Sequence, residues 1–269
     1  INGLYTPDGE AFPPQKATEK QVWDTLVHST ETDADGLAQW HDKAIDHARD
    51  LGFKLAMTEW NLNGWLAIKE YRQLWPGSGG CGLGAAVMLN ALLRRGDIVE
   101  MATQSMLVGK SWGIAGIRVA KDGVAPPTYA PSAEVTTLYR KHHGDRRLQV
   151  HYETKLPLWQ PEVCFSKEYR VTERAALVDA VATRDDKHLY LHLLNTDYNR
   201  PCRLTVRLEG LPVAEEEAAF YRLRFLTKDE TMQNGSPTDA GTGTVPMQQN
   251  GINVELPSRS ATILVIPLQ

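Results

Sequence analysis

The chain has 269 residues, of which 42% are hydrophobic and 23% charged, and its formal net charge is −4. That balance suits a globular protein of one or two domains, offers no basic stripe for phosphates, and includes no apolar run of the roughly 18 residues a membrane span needs. Neither nucleic acid nor a membrane is expected as a partner, and the chain is expected to be soluble.

In chain order, Ile1 to Tyr5 reads as a short strand running into the turn-rich TPDGEAFPP. Glu19 to His28 carries Val22, Trp23, Leu26 and Val27 at helical spacing. A second helix is expected from about Asp35 to Asp50, with Leu37, Trp40, Ala44, Ile45 and Ala48 on one face. Gly52 ends it, because glycine takes the left-handed C-terminal position without steric penalty. Phe53 to Asn61, FKLAMTEWN, then sets a short apolar run directly before Glu59. The loop that follows holds Trp65, Tyr71, Trp75 and several glycines. Its aromatic rings can stack on sugar faces or simply pack the loop onto the scaffold. Leu83 to Leu93 is apolar almost all round and predicts a buried helix, ended by Arg94, Arg95 and Gly96. The spacing of Ile98, Met101, Ala102 and Ser105 predicts another helix, capped by Asp97. Lys110 to Val119 predicts a strand, and Pro131 to His143 a last helix. Alternation of this kind implies a parallel sheet with crossovers.

From Gln149 the texture changes to period-two segments at Gln149–Tyr152, Leu177–Thr183, His188–Asn195, Cys202–Leu208, Ala218–Phe225, Ile252–Leu256 and Ala261–Ile266. Turn clusters such as TRDDK and NTDYNRP separate them, which predicts an antiparallel sandwich over 149–269 behind an α/β unit over 1–148. His188 and His192 share one strand face, but no third ligand lies near them, so a sheet pair is expected rather than a metal site. Glu215, Glu216 and Glu217 read as a solvated turn. Cys81, Cys164 and Cys202 form no CxxC pair and are expected to be buried free thiols, in keeping with a reducing compartment. The chain begins at Ile1 with no signal-like segment. The expectation is a cytoplasmic protein whose start has been removed, or one piece of a longer polypeptide.

Glu59 is the first candidate for chemistry. Strands buried on both faces read as continuous apolar runs, and in α/β barrels catalytic groups sit where such strands end. The alternative is a solvent-exposed Glu at a strand end, held by a nearby Lys or Arg.

TEWN at Thr58 to Asn61, the small-residue helix with Asn90, and RRGDIVEMA at Arg94 to Ala102 together resemble the C-terminal half of family 51 glycoside hydrolases, the α-L-arabinofuranosidases. VDAVATRDDKHLYLHLLNTD is similar to the opening strands of their C-terminal β-sandwich. The resemblance implies the C-terminal part of a (β/α)8 barrel over 1–148, followed by a jelly-roll-like antiparallel β-sandwich over 149–269. It also implies a retaining glycosidase acting on terminal furanosyl residues of plant-type oligo- or polysaccharides. Glu59 would be the nucleophile, with Tyr5, Asn61, Asn63 and Trp65 as substrate contacts and no metal or other cofactor. The partners implied are the carbohydrate, further copies in a homo-oligomer, and an N-terminal barrel half carrying the acid/base Glu. Only three of the eight strands a barrel needs are expected here, at Ile1–Tyr5, Phe53–Thr58 and Lys110–Val119, so the other half belongs to a separate chain or a missing segment. The sequence departs from the family at Gly3, where a His is usual, at Asn63, where a Trp is usual, and at Met106, with Gln104 two positions before it. Those departures favour the alternative, a non-catalytic carbohydrate-binding or assembly subunit with a degenerate barrel.

Overall fold

The computed structural model describes residues 4–31, 37–61, 78–110, 115–164, 167, 171–213, 217–248 and 251–269, without the side chains of 37–41. The readings made on Ile1, Gly3, Asn63, Trp65, Tyr71, Trp75, Glu215 and Glu216, and on the side chains of Leu37 and Trp40, lie outside these residues.

β1 (Leu4–Tyr5) pairs antiparallel with β2 (Ala11–Phe12), and Tyr5 bridges to Cys164. Leu4–Tyr5 is a strand as expected, and its pairings among the described residues are antiparallel. Thr18 caps α1 (Glu19–His28) through a reciprocal box with Gln21, and the helix buries Val22, Trp23, Leu26 and Val27 as the spacing predicts. α2 (Leu37–Asp50) gives way through Gly52, at φ +71, to β3 (Leu55–Trp60). α3 (Gly79–Arg94) then crosses over to β4 (Val99–Gln104), which lies parallel to β3.

β4 corrects the helix expected from Asp97 onward. The helical spacing was fortuitous: Ile98 sits in the turn after α3 and packs on Ile45 and Ala48, while Val99 begins a ladder with Leu55. A β-branched residue that finds a strand partner outweighs a local helical pattern. Of the strand expected over Lys110–Val119, residues 111–114 lie outside the described residues, and Ile117–Arg118 forms β6 of a small sheet with β5 (Val108–Gly109) and β7 (Thr128–Tyr129). α4 (Pro131–Lys141) forms where predicted.

The remaining strands make one continuous antiparallel sheet in the order β11-β14-β13-β12-β15-β10-β9-β8. Its members are β8 (Arg146–Leu148), β9 (Val178–Arg184), β10 (His188–Asn195), β11 (Cys202–Arg207), β12 (Glu217–Phe225), β13 (Thr238–Gln248), β14 (Gly251–Leu256) and β15 (Ser260–Pro267). The sheet curls over itself, so Leu189, Leu191 and Leu193 of β10 share a core with Ile252, Val254 and Leu256 of β14, as in a sandwich. Two pieces differ from expectation. The first strand is Arg146–Leu148 rather than Gln149–Tyr152, and β13 with the short helix α5 (Lys228–Asn234) was not foreseen. TDAGTGTVPMQ holds two glycines and a proline, which disfavour a strand locally. Nine pairings with β12 stabilise it.

The outer face of this sheet rests on α3. Leu83 and Val87 of that helix pack in one cluster with Trp23, Trp60, Tyr190, Phe225 and Ile263. The approach is close because three of the first four residues of α3 are glycine, at 79, 80 and 82. A Cβ on Gly82 would lie 2.4 Å from the Phe225 ring and 2.6 Å from Pro131 Cβ. Gly82→Ala is therefore expected to lower stability by about 1–3 kcal/mol through overpacking, read by denaturant unfolding. The contact between the α/β part and residues 149–269 comes from α3 against the sheet, and also from Val163, packed beneath α1, and Trp159, stacked on His28, while Val150 packs within the sheet core.

Cys81 and Cys164 are buried free thiols, whereas Cys202 is only partly buried, on the edge strand β11. Burial pushes the Cys81 thiol up to about 12, so it is inert as a nucleophile at neutral pH.

His28 and His192 are almost wholly buried. His28 stacks on Trp159, and His192 Nε2 lies 3.3 Å from Thr183 Oγ1. Burial, aided by Lys20 for His28 and by His143 and His142 for His192, holds each near 3 rather than 6.5. The unfolded chain therefore binds two more protons than the folded one between pH 6.5 and 3, and stability falls on acidification. Asp24 opposes this, because burial raises its carboxyl to about 6 against the pull of Lys20. It returns one proton's worth of stability between pH 6 and about 4. For these three groups together the loss in that window is about 1.4 kcal/mol per pH unit. Asp24→Asn should about double the slope in a pH series of unfolding curves, and His192→Leu should flatten it.

Candidate functional site at the ends of the parallel strands

β3 and β4 run parallel, and their carboxyl ends lie side by side at Trp60 and Gln104. Parallel sheets bind their ligands at that edge. The ladder reaches it unevenly. Between Met57↔Ala102 and Trp60↔Gln104, two residues of β3, Thr58 and Glu59, stand opposite the single Thr103. Such a bulge bends the strand and re-aims its side chains. Here it breaks the period of two, so Thr58 and Glu59 are both exposed while Trp60 is buried.

The strand is not buried on both faces, as its apolar run suggested. Met57 packs toward the central cluster and Leu55 toward Ile45 and Ile98, but Ala56, Thr58 and Glu59 form an open side. Phe53 lies before the strand and is 63% exposed. Glu59 accordingly faces solvent at the strand end. Among the described residues no cation pairs with it, so the ion-paired alternative finds no partner there.

The two strand ends are laced together. Ser105 donates its N–H to the Trp60 carbonyl at 2.9 Å, and Asn61 Nδ2 donates to the Ser105 carbonyl at 2.8 Å. Gln104 is buried and accepts from Thr136 Oγ1 at 2.7 Å. Gln104 Nε2 and Trp60 Nε1 find no acceptor among the described residues. Met106 follows at φ +53, the left-handed region that side-chain-bearing residues seldom adopt. Sequence reasoning did not find this lacing, because the helix expected over β4 hid the neighbourhood of Ser105 and Asn61.

Tyr5 is partly buried. Its backbone exchanges two 2.9 Å hydrogen bonds with Cys164, and Lys167 Nζ stands 5.6 Å from its ring centre. No hydrogen bond joins Tyr5 to Glu59 among the described residues. A cavity of about 890 Å³ lies elsewhere, beside β9, lined by Arg94, Arg147, Tyr152, Lys155, Arg174 and Asp179. Asp179 there is held by Arg94 and Asn90. No cluster of three metal-binding side chains occurs among the described residues, and no described helix is long and apolar enough to cross a membrane.

The family model of the α-L-arabinofuranosidase C-terminal domain matches residues 78–262, from the start of α3 into β15. Among solved structures, the chain is similar to the α-L-arabinofuranosidase of Thermotoga maritima in complex with arabinose. The two are 22% identical with a TM-score of 0.67, over 94% of this chain and 51% of that one. The thermostable family 51 enzyme of Thermotoga petrophila is 21% identical with a TM-score of 0.65, over 95% and 50%. The family 51 arabinofuranosidase of Xanthomonas axonopodis pv. citri is 21% identical with a TM-score of 0.60, over 97% and 51%. This chain spans about half the length of these three solved structures. No curated protein matches it. Structural likeness at such identities speaks to fold, because one fold serves many chemistries. The match over 78–262 carries more: the chain belongs to the family of α-L-arabinofuranosidase C-terminal domains.

Proposed function

We propose that the chain is the nucleophile-bearing part of a retaining glycosidase that removes terminal α-L-arabinofuranosyl residues from plant-type oligo- or polysaccharides. The observation that carries this reading is the bulge that turns Glu59 to solvent at the carboxyl edge of the β3–β4 pair, within a family 51-like fold. On this reading, residues 1–148 contribute the end of a (β/α)8 barrel, with β3 and β4 as two of its strands, and residues 149–269 form a companion β-sandwich. Tyr5, Asn63 and Trp65 would contact the sugar.

In the first step the Glu59 carboxylate attacks the anomeric carbon and forms a glycosyl ester, as the glycosidic bond breaks and its oxygen takes a proton from a second carboxyl about 5–5.5 Å away. In the second, that carboxyl, now ionised, takes a proton from water. The hydroxide attacks the anomeric carbon and frees Glu59. The reading assigns the second carboxyl to an N-terminal barrel half, on a separate polypeptide or an upstream segment, whose strands would also cover the open side of β3.

An aryl α-L-arabinofuranoside tests the reading. The chain joined to its N-terminal half should release the aryl alcohol, and the chain alone should not. A complete assembly that binds arabino-oligosaccharides without turnover would instead favour a carbohydrate-binding or assembly subunit.

A further inference from the structure

The bulge that exposes Glu59 also leaves it poorly held. Thr58 and Glu59 stand opposite Thr103 without a register pair of their own, so the ladder fixes the backbone before them at Met57 and after them at Trp60, but not between. The direction of the carboxylate thus depends on how firmly the chain is fastened just past the bulge. The fastenings there include the buried Trp60 indole, the Ser105 N–H and hydroxyl on the Trp60 carbonyl, and the Asn61 amide on the Ser105 carbonyl. The last is a side-chain bond that runs from the end of β3 to the chain just past β4. The ladder stops at Gln104, and the left-handed turn at Met106 takes the chain away from β3. The Ser105 carbonyl is then met by Asn61 from the neighbouring strand end. An asparagine suits this place, since it is short and its amide donates. An ionised aspartate of the same shape could only accept, and would be repelled by the carbonyl.

We propose that Asn61 is a positioning residue for Glu59: its bond to the Ser105 carbonyl clamps the carboxyl ends of β3 and β4 together and sets the line along which the Glu59 carboxylate meets the sugar. This rests on the reading of Glu59 as nucleophile, and it gives Asn61 a different task from the substrate contact expected of it. A nucleophile must lie close to its attack line, and a displacement of about 1 Å costs about a hundredfold in rate. Loss of the clamp therefore slows the chemical step and leaves sugar binding nearly unchanged.

The test uses the complete enzyme, with its N-terminal half, on an aryl α-L-arabinofuranoside, with Asn61→Leu, Asn61→Asp and Glu59→Gln in parallel. Asn61→Leu should lower kcat about a hundredfold while KM stays within about twofold. Asn61→Asp should be as slow near neutral pH. It should then gain on Asn61→Leu as the pH falls, because its protonated carboxyl can donate to the Ser105 carbonyl again. This nearly isosteric variant also keeps the test open should the leucine variant fold poorly. Wild-type kcat in both variants, or a loss confined to KM, would overturn the positioning role, the second outcome making Asn61 a sugar contact. Failure of the underlying reading is seen separately: Glu59→Gln would then retain turnover, whatever the Asn61 variants do.

Discussion

Glu59→Gln in the complete enzyme is expected to remove turnover of an aryl α-L-arabinofuranoside, by on the order of 10⁴-fold or more, without lowering stability. Glutamine keeps the volume of the side chain but carries no anionic oxygen to form the glycosyl ester. Effects of that order follow removal of a nucleophile that works together with a proton donor. Stability should hold because Glu59 is exposed and has no ion pair or hydrogen bond among the described residues. Surface changes of this sort usually stay within about 0.5 kcal/mol. The pairing of a large kinetic effect with a flat unfolding curve is itself informative. A carboxylate kept for structure would show the reverse, a shifted melting point with turnover preserved.

Arg94→Ala should do the opposite and lower stability by about 3–5 kcal/mol. Arg94 ends α3 and reaches two buried carboxylates, Asp179 of β9 at 2.6 Å and Glu31 at 3.1 Å. Asn90 Nδ2 holds the other Asp179 oxygen at 2.9 Å, and Tyr139 of α4 donates to Asn90 Oδ1 at 2.8 Å. One arginine thus joins α3, the sheet, and the segment after α1. Glu31 is 1% exposed, and although burial raises its pKa, Arg94 and then Arg95 pull it back. Without Arg94, its nearest remaining cations are Arg95 and Arg174, each 3.9 Å away. The cost is mainly that of a buried charge left short of partners, so removing one member exceeds the net worth of the cluster. Arg94→Lys should recover little, because an ammonium cannot hold both carboxylates as a planar fork does. Urea unfolding of the three proteins measures this. A loss below about 1 kcal/mol for Arg94→Ala would mean that the apolar contacts of α3 alone hold the two parts together.

Much of the fold is legible in the sequence where burial and period agree. Val22, Trp23, Leu26 and Val27 mark α1, and the alternation at His188–Asn195 marks β10 to the residue. Legibility fails where a partner distant in sequence decides. Ile98 to Ser105 has the spacing of a helix and becomes a strand because β3 lies ready to pair with it. β13 is rich in glycine and threonine, and only its ladder with β12 makes it a strand. The site is half legible for the same reason. TEWN points to Glu59, but the bulge that exposes it is a property of two strands, and a misread β4 hides the bond from Asn61 to Ser105. The apolar run Leu83 to Leu93 announces a buried helix, whereas Gly79, Gly80 and Gly82 of its first turn read as loop. That Gly82 also admits the Phe225 ring could be seen only in the packed structure.

The central claim, that Glu59 forms a covalent bond to the sugar, is tested most directly by trapping that bond. A 2-deoxy-2-fluoro arabinofuranosyl donor with a good leaving group should let the complete enzyme form its ester and then stall, because the fluorine slows both steps and the leaving group favours the first. Peptide mass spectrometry should then find one added fluorosugar on the peptide that contains TEWN, at Glu59. The adduct should disappear in Glu59→Gln. A sugar ester on any other carboxylate, with Glu59 unmodified in an enzyme that turns over, would contradict the account.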